Sequence, residues 1–112
     1  MKNLSQIKER YLREPFNMRV GHLASDLVRI STFSDITAIK DIVEESKFFI
    51  EWIAGEAAFD VQVLLVEMQS KLALWQRRIL THSDNTRDLK ELKETTKAWS
   101  EKLLEISGLL VV

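Results

Sequence analysis

The sequence predicts an all-α protein, an up-and-down four-helix bundle with an additional short N-terminal helix. Three observations lead there. Apolar residues recur at three- and four-residue steps along nearly the whole chain, the period of a helix rather than of a strand. Only 3 Gly and 1 Pro interrupt 112 residues, too few for the turns of a sandwich or barrel. At that length the chain makes one domain, residues 1–112, with a single core.

The first, short helix is expected over about 3–13, with Asn3 as its N-cap and Leu4, Ile7 and Tyr11 on one face. Pro15 ends it or opens the next, because proline suits a first turn. The second helix, about 16–32, carries Phe16, Val20, Leu23, Leu27 and Ile30 at steps of 4, 3, 4 and 3. The third, about 35–54, has Ser34 as its expected cap and a broad arc of Ile36, Ile39, Ile42, Val43, Phe49, Ile50 and Ile53.

Ala54-Gly55-Glu56 decides whether the third and fourth helices are one. Gly55 reads as a C-terminal glycine and Glu56 as the first turn of a new helix, so a break is expected there, with a kinked continuous helix as the alternative. The fourth helix, about 56–81, carries Val61, Leu64, Leu65, Met68, Leu72, Trp75 and Ile79. The polar stretch 82–85 is the turn before the last helix, about 86–107, whose stripe is Leu89, Leu92, Thr96, Trp99, Leu103 and Ile106. Gly108 is its stop, with Leu109 placed against the last turn. The apolar ending 109–112 either packs on the bundle end or is a tail offered to a partner.

The third and fourth helices hold more apolar surface than one core uses. Phe48 and Trp52 point nearly opposite to the isoleucines, beside Asp41 and Glu45, and Phe59, Val63 and Val66 form a second stripe on the fourth helix. These five residues are the candidate interface, because contiguous exposed apolar patches mark contact sites. Three partners fit: the N-terminal segment through Leu4, Ile7, Tyr11 and Leu12, a second copy in a homodimer, or another protein.

Charge is segregated although the net value is −1. Residues 1–34 hold 6 basic and 3 acidic side chains, residues 35–67 hold 2 and 8, residues 68–90 hold 5 and 2, and residues 91–112 hold 3 and 4. An acidic third helix beside basic neighbours sets register more than stability, since exposed pairs contribute only about 0–1 kcal/mol. Arg77, Arg78 and Trp75, with His82, Arg87 and Lys90, form a basic cluster, but without a nucleic-acid motif and beside an acidic segment it reads as a solvated helix end.

Most chemistry is disfavoured. Without cysteine there are no disulfides, thiolate metal sites or cysteine nucleophiles. Neither His22 nor His82 belongs to a Glu-x-x-His pair, so no di-iron centre is expected, nor any metal or cofactor. No phosphate-binding glycine loop, dinucleotide fingerprint or nucleophile elbow occurs. Histidine phosphotransfer bundles expose an acceptor histidine followed by Lys at +3 and Gly at +4. Ser25 and Asp26 stand at those positions after His22, which removes a cation and adds like-charge repulsion.

The most apolar window, 57–66, is 10 residues long and contains Asp60 and Gln62, against about 20 apolar residues for a membrane span. The N-terminus lacks the apolar run of a signal peptide. A soluble, cytoplasmic chain is therefore expected.

The opening MKNLSQIKERYL (1–12), SKFFIEW (46–52) with the break after it, LALWQR (72–77) and LLEISGLL (103–110) together resemble a family of small cyanobacterial proteins of unassigned function. The resemblance covers most of the chain and implies an all-helical soluble protein; it carries no active-site motif. The function expected from the residues is non-enzymatic: a bundle that self-associates or docks a protein through Phe48, Trp52, Phe59, Val63 and Val66. The alternatives are phosphotransfer at His22 and a small-molecule carrier with a core cavity bordered by Trp75 and Trp99.

Overall fold

The structure, a computed structural model, describes residues 3–81 and 86–108. They form five helices: α1 (Leu4–Arg13), α2 (Phe16–Thr32), α3 (Ile36–Ala54), α4 (Phe59–Thr81) and α5 (Thr86–Ser107). No strand occurs among the described residues.

Local chemistry explains most of the ends. Asn3 Oδ1 accepts from the Ser5 and Gln6 amides at 3.1 and 3.3 Å, so α1 begins on its expected cap. Pro15 stands just outside α2, and its carbonyl accepts from the Met18 and Arg19 amides. The cap of α3 is Asp35 rather than Ser34: its carboxylate accepts from the Thr37 amide at 3.0 Å. Gly108, at φ +77°, takes the left-handed stop expected after α5. Leu109, with the rest of 109–112, lies outside the described residues, as does the turn 82–85 with His82.

The break at Gly55 is present, but its mechanism differs from the expected one. Gly55 has φ −67° and ψ −22°, ordinary right-handed geometry that needs no glycine. Glu56 is not in α4, which starts three residues later at Phe59. The corner is tied by tertiary bonds instead. Gln62 Nε2 donates to the Ala54 carbonyl at 2.7 Å, and Glu56 turns back to Arg19 of α2.

Helix α2 packs against α3 and α5, and α4 closes the ring against both of those helices. Cross-helix contacts show each neighbouring pair to be antiparallel. Arg19 meets Glu56 beyond the end of α3, while Asp26 meets Glu45 farther along α2. Lys47 and Glu44 of α3 both bind Gln76 of α4, whereas Ala54 binds Gln62. Arg78 near the end of α4 meets Asp88 near the start of α5, and Lys93 donates to the Phe33 carbonyl after α2.

The core follows most of the predicted stripes, with Leu23, Leu27 and Ile30 of α2, Ile39 and Ile53 of α3, Leu65, Met68 and Leu72 of α4, and Leu92 and Leu103 of α5; Ile36 and Ile106, expected in the same stripes, sit at helix ends and are exposed. Each buried side chain of this set contributes about 1.5–3 kcal/mol by leaving water. Thr96 is buried among them without cost in hydrogen bonding, because its hydroxyl donates to the Leu92 carbonyl at 2.8 Å. Helix α1 makes no such close backbone packing; it lies on the α2–α3 face through its side chains, chiefly Tyr11.

Candidate functional site

The five candidate interface residues divide into two places. Phe48 and Trp52, one turn apart on α3, are half-buried with their rings 5.6 Å apart. Tyr11 of α1 covers this side of the molecule. Its ring stacks flat on Phe49 at 4.0 Å and lies 5.9 Å from Trp52, and its hydroxyl donates to the Arg19 carbonyl at 2.6 Å. Burial of that phenol pushes its pKa well above the usual tyrosine value. Lys8 places its ammonium 5.9 Å over the Trp52 ring.

Phe59, Val63 and Val66 have no such cover. They are 80%, 53% and 63% exposed, along the outer face of α4. The stripe continues at the same spacing through Ser70, Ala73 and Arg77, all exposed, so six positions run at steps of 4, 3, 4, 3 and 4. That is the spacing of a coiled-coil seam. Asp60 and Glu67 flank its first half; Lys71, Arg77 and Arg78 belong to its second. Glu67 and Lys71 pair at 3.4 Å along the helix.

Sequence reasoning missed a polar cluster on α2. Arg19 and Asp26 are both buried, at 5% and 2% exposure. Arg19 makes a two-pronged bond to the Glu56 carboxylate, at 2.5 and 2.8 Å, and its Nε donates to the Glu14 carbonyl. The hydrogen bond from Arg19 holds the Glu56 carboxyl below its ordinary pKa, and the same bond raises that of Arg19.

Asp26 faces the opposite situation. Burial is the main cause that pushes its carboxyl up to about 8, helped by a hydrogen bond and like charge from Glu45; Arg29, 3.5 Å from Oδ1, opposes the shift. Asp26 Oδ2 is buried and accepts no hydrogen bond. A buried carboxyl whose pKa is pushed up to about 8 holds its proton at neutral pH, so Asp26 is the acid form there. The signal was present in the spacing: Arg19, Leu23, Asp26 and Ile30 step by 4, 3 and 4, a second buried line beside the one read from Val20, Leu23 and Leu27.

The remaining candidates are placed as follows. His22 is exposed, its ring 6.3 Å from Tyr11, and Ser25 beside it supplies no cation. Trp75 and Trp99 are buried against each other at 5.9 Å, at the α4–α5 contact. Arg87 and Lys90 are exposed at the start of α5, and Arg78 pairs with Asp88 at 3.6 Å.

Among the described residues no group of three or more His, Cys, Asp or Glu could hold a metal ion, and no helix is long and apolar enough to cross a membrane. Comparison with family models, with curated proteins and with solved structures returned no match, in keeping with resemblance to a family of unassigned function.

Proposed function

We propose that the protein is a non-enzymatic helical bundle that self-associates, with α4 of one copy lying antiparallel on α4 of a second. The observation that carries this reading is the open seam on α4, with Phe59 80% exposed at one end. A soluble bundle keeps such a stripe out of water by covering it, and nothing among the described residues covers it.

The chemistry of the seam favours a second copy as its occupant. Its first half is large (Phe59, Val63, Val66) and its second half offers small Ser70 and Ala73. Antiparallel pairing about the middle sets Val66 against Ser70, Val63 against Ala73 and Phe59 against Arg77, whereas parallel pairing would set Phe59 on Phe59 and Arg77 on Arg77. The same orientation lays the acidic half, Asp60 and Glu67, toward the basic half, Lys71, Arg77 and Arg78. One patch complementary to itself is what a two-fold dimer requires.

Sedimentation equilibrium over a wide concentration range tests the reading. The expected result is a monomer–dimer equilibrium in the natural chain that Val66→Lys shifts to monomer while helical content is retained. A strict monomer at every concentration overturns it.

A further inference from the structure

Two clefts lie against α1, and they meet. The larger, about 830 Å³, is walled by Leu4 and Ile7 of α1 and by Ile42, Phe48 and Trp52 of α3. The smaller, about 370 Å³, runs beneath Tyr11 to Asp26. Ile7, Arg29 and Glu45 line both, so an apolar, aromatic wall leads to half-buried Glu45 and buried Asp26. The size suits a small molecule, for which sites of about 300–1,000 Å³ are usual.

We propose that this continuous cleft binds an organic cation, an amine whose ammonium sits between Asp26 and Glu45 and whose apolar body lies on Ile42, Phe48 and Trp52. Three features select that chemistry. The acidic side chains Glu14, Asp26, Asp41, Glu44 and Glu45 outnumber Arg10 and Arg29 around the cleft, which disfavours an anion. Asp26 Oδ2, buried and without a hydrogen bond, is an acceptor awaiting a donor, and an ammonium carries three donors on one atom. The aromatic wall already takes a cation, since the Lys8 ammonium stands over the Trp52 ring. A metal ion would need a third ligand of the kind that the described residues do not bring together here.

Binding has a proton balance. The groups facing Asp26 are Tyr11 with Arg10 of α1, Glu14 just after it, His22 and Arg29 of α2, and Glu45 of α3. Asp26, its carboxyl pushed up to about 8 by burial, holds a proton at neutral pH, and an ammonium that takes its place against Oδ2 displaces that proton. Asp26 goes from acid to carboxylate and one proton is released to solvent per amine bound. Affinity therefore rises with pH up to the titration of Asp26 near 8 and levels off above it.

Calorimetric titration of the full chain with 2-phenylethylamine tests this, with 2-phenylethanol and 3-phenylpropionate as shape controls. Expected are saturable one-to-one binding of the amine alone and the release of about one proton at pH 7, read from buffers of different ionisation enthalpy. Asp26→Asn, which keeps the shape of the side chain and removes its charge, should weaken binding about 10- to 100-fold, the usual effect of losing a charged hydrogen bond. Glu45→Gln should weaken it comparably, while Val66→Lys on the far seam leaves it unchanged. Absence of saturable binding, equal binding of the alcohol, or undiminished binding by both carboxyl variants would overturn the assignment.

Discussion

The apolar surplus of α3 and that of α4 look alike in the sequence and have opposite fates. Phe48 and Trp52 lie half-buried beside α1; Phe59, Val63 and Val66 face water. The difference comes from tethering. Helix α1 is joined to α2 by only Glu14 and Pro15, so ordering it costs little loop entropy, and Tyr11 reaches Phe49 with a flat stack and Arg19 with a hydrogen bond. Helix α4 has no such cover among the described residues. On the proposed reading a second copy covers that stripe, which would make stability depend on chain concentration.

The sharpest way to break the comparison is to uncover the α3 stripe. Tyr11→Ala removes the stack, the buried hydrogen bond and the packing that holds α1, and should cost about 3–5 kcal/mol in urea unfolding. The Tyr11→Ala chain should also bind hydrophobic dyes, because Phe48 and Trp52 then resemble the stripe on α4. A loss below about 1 kcal/mol would mean that α1 is docked by something other than Tyr11.

On α4 the corresponding change should spare the fold. Val66→Lys replaces a side chain already 63% exposed, so the monomer should keep its stability within about 0.5 kcal/mol. Association should weaken by tenfold or more, as expected when a charge enters the centre of an apolar contact. Trp52→Ala is the mirror experiment: it should cost fold stability and leave the association constant unchanged.

The carboxyl pair beneath α1 makes the covered side dependent on pH. Asp26 has a raised pKa in the fold, about 8 against an ordinary 3.8, so its contribution is fully present below about 4 and is lost as pH rises toward 8. Asp26→Asn fixes a neutral side chain of the same shape. Its unfolding free energy should lie about 1–3 kcal/mol above the natural chain at pH 8–9 and converge with it near pH 4. The Arg19–Glu56 bond has the opposite sign: the Glu56 carboxyl is lowered, so that bond is present above the ordinary value of 4.5 and is lost as pH falls through the lowered one. An Asp26→Asn curve parallel to the natural one would show that the pair is not the titrating group.

What was legible in the sequence was whatever depends on near neighbours. The 3–4 spacing placed five helices and the core stripes, and Asn3 and Gly108 marked ends that they do hold. Asp35 rather than Ser34 caps α3, a one-residue matter of which side chain reaches the Thr37 amide. Asp26 was hidden because α2 is packed from two sides, against α3 and α5, and so buries a wider arc than one stripe predicts. Glu56 was assigned to a first helical turn, yet its partner Arg19 lies 37 residues away, a distance no local pattern reports. Cover of Phe48 and Trp52 by α1 was among the options read from the residues; choosing it needed the position of Tyr11.

Gly55 gives the smallest effect and tests how the two stripes are kept apart. It sits at the corner that sends α4 back along α3, where a local reading makes the glycine responsible for the turn. Its φ of −67° is open to any residue, and a Cβ added there meets nothing within 4 Å. Gly55→Ala should therefore stabilise the chain by about 0.4–1 kcal/mol, because alanine has less freedom to lose from the unfolded state. The dimer constant should not move, since the corner is held by Arg19 on Glu56 and Gln62 on the Ala54 carbonyl. Destabilisation by Gly55→Ala, or fusion of α3 and α4 into one long helix seen as added helical content, would place the turn back in the glycine. In that case the outward aim of Phe59 and Val63 would depend on backbone flexibility rather than on the two side-chain ties.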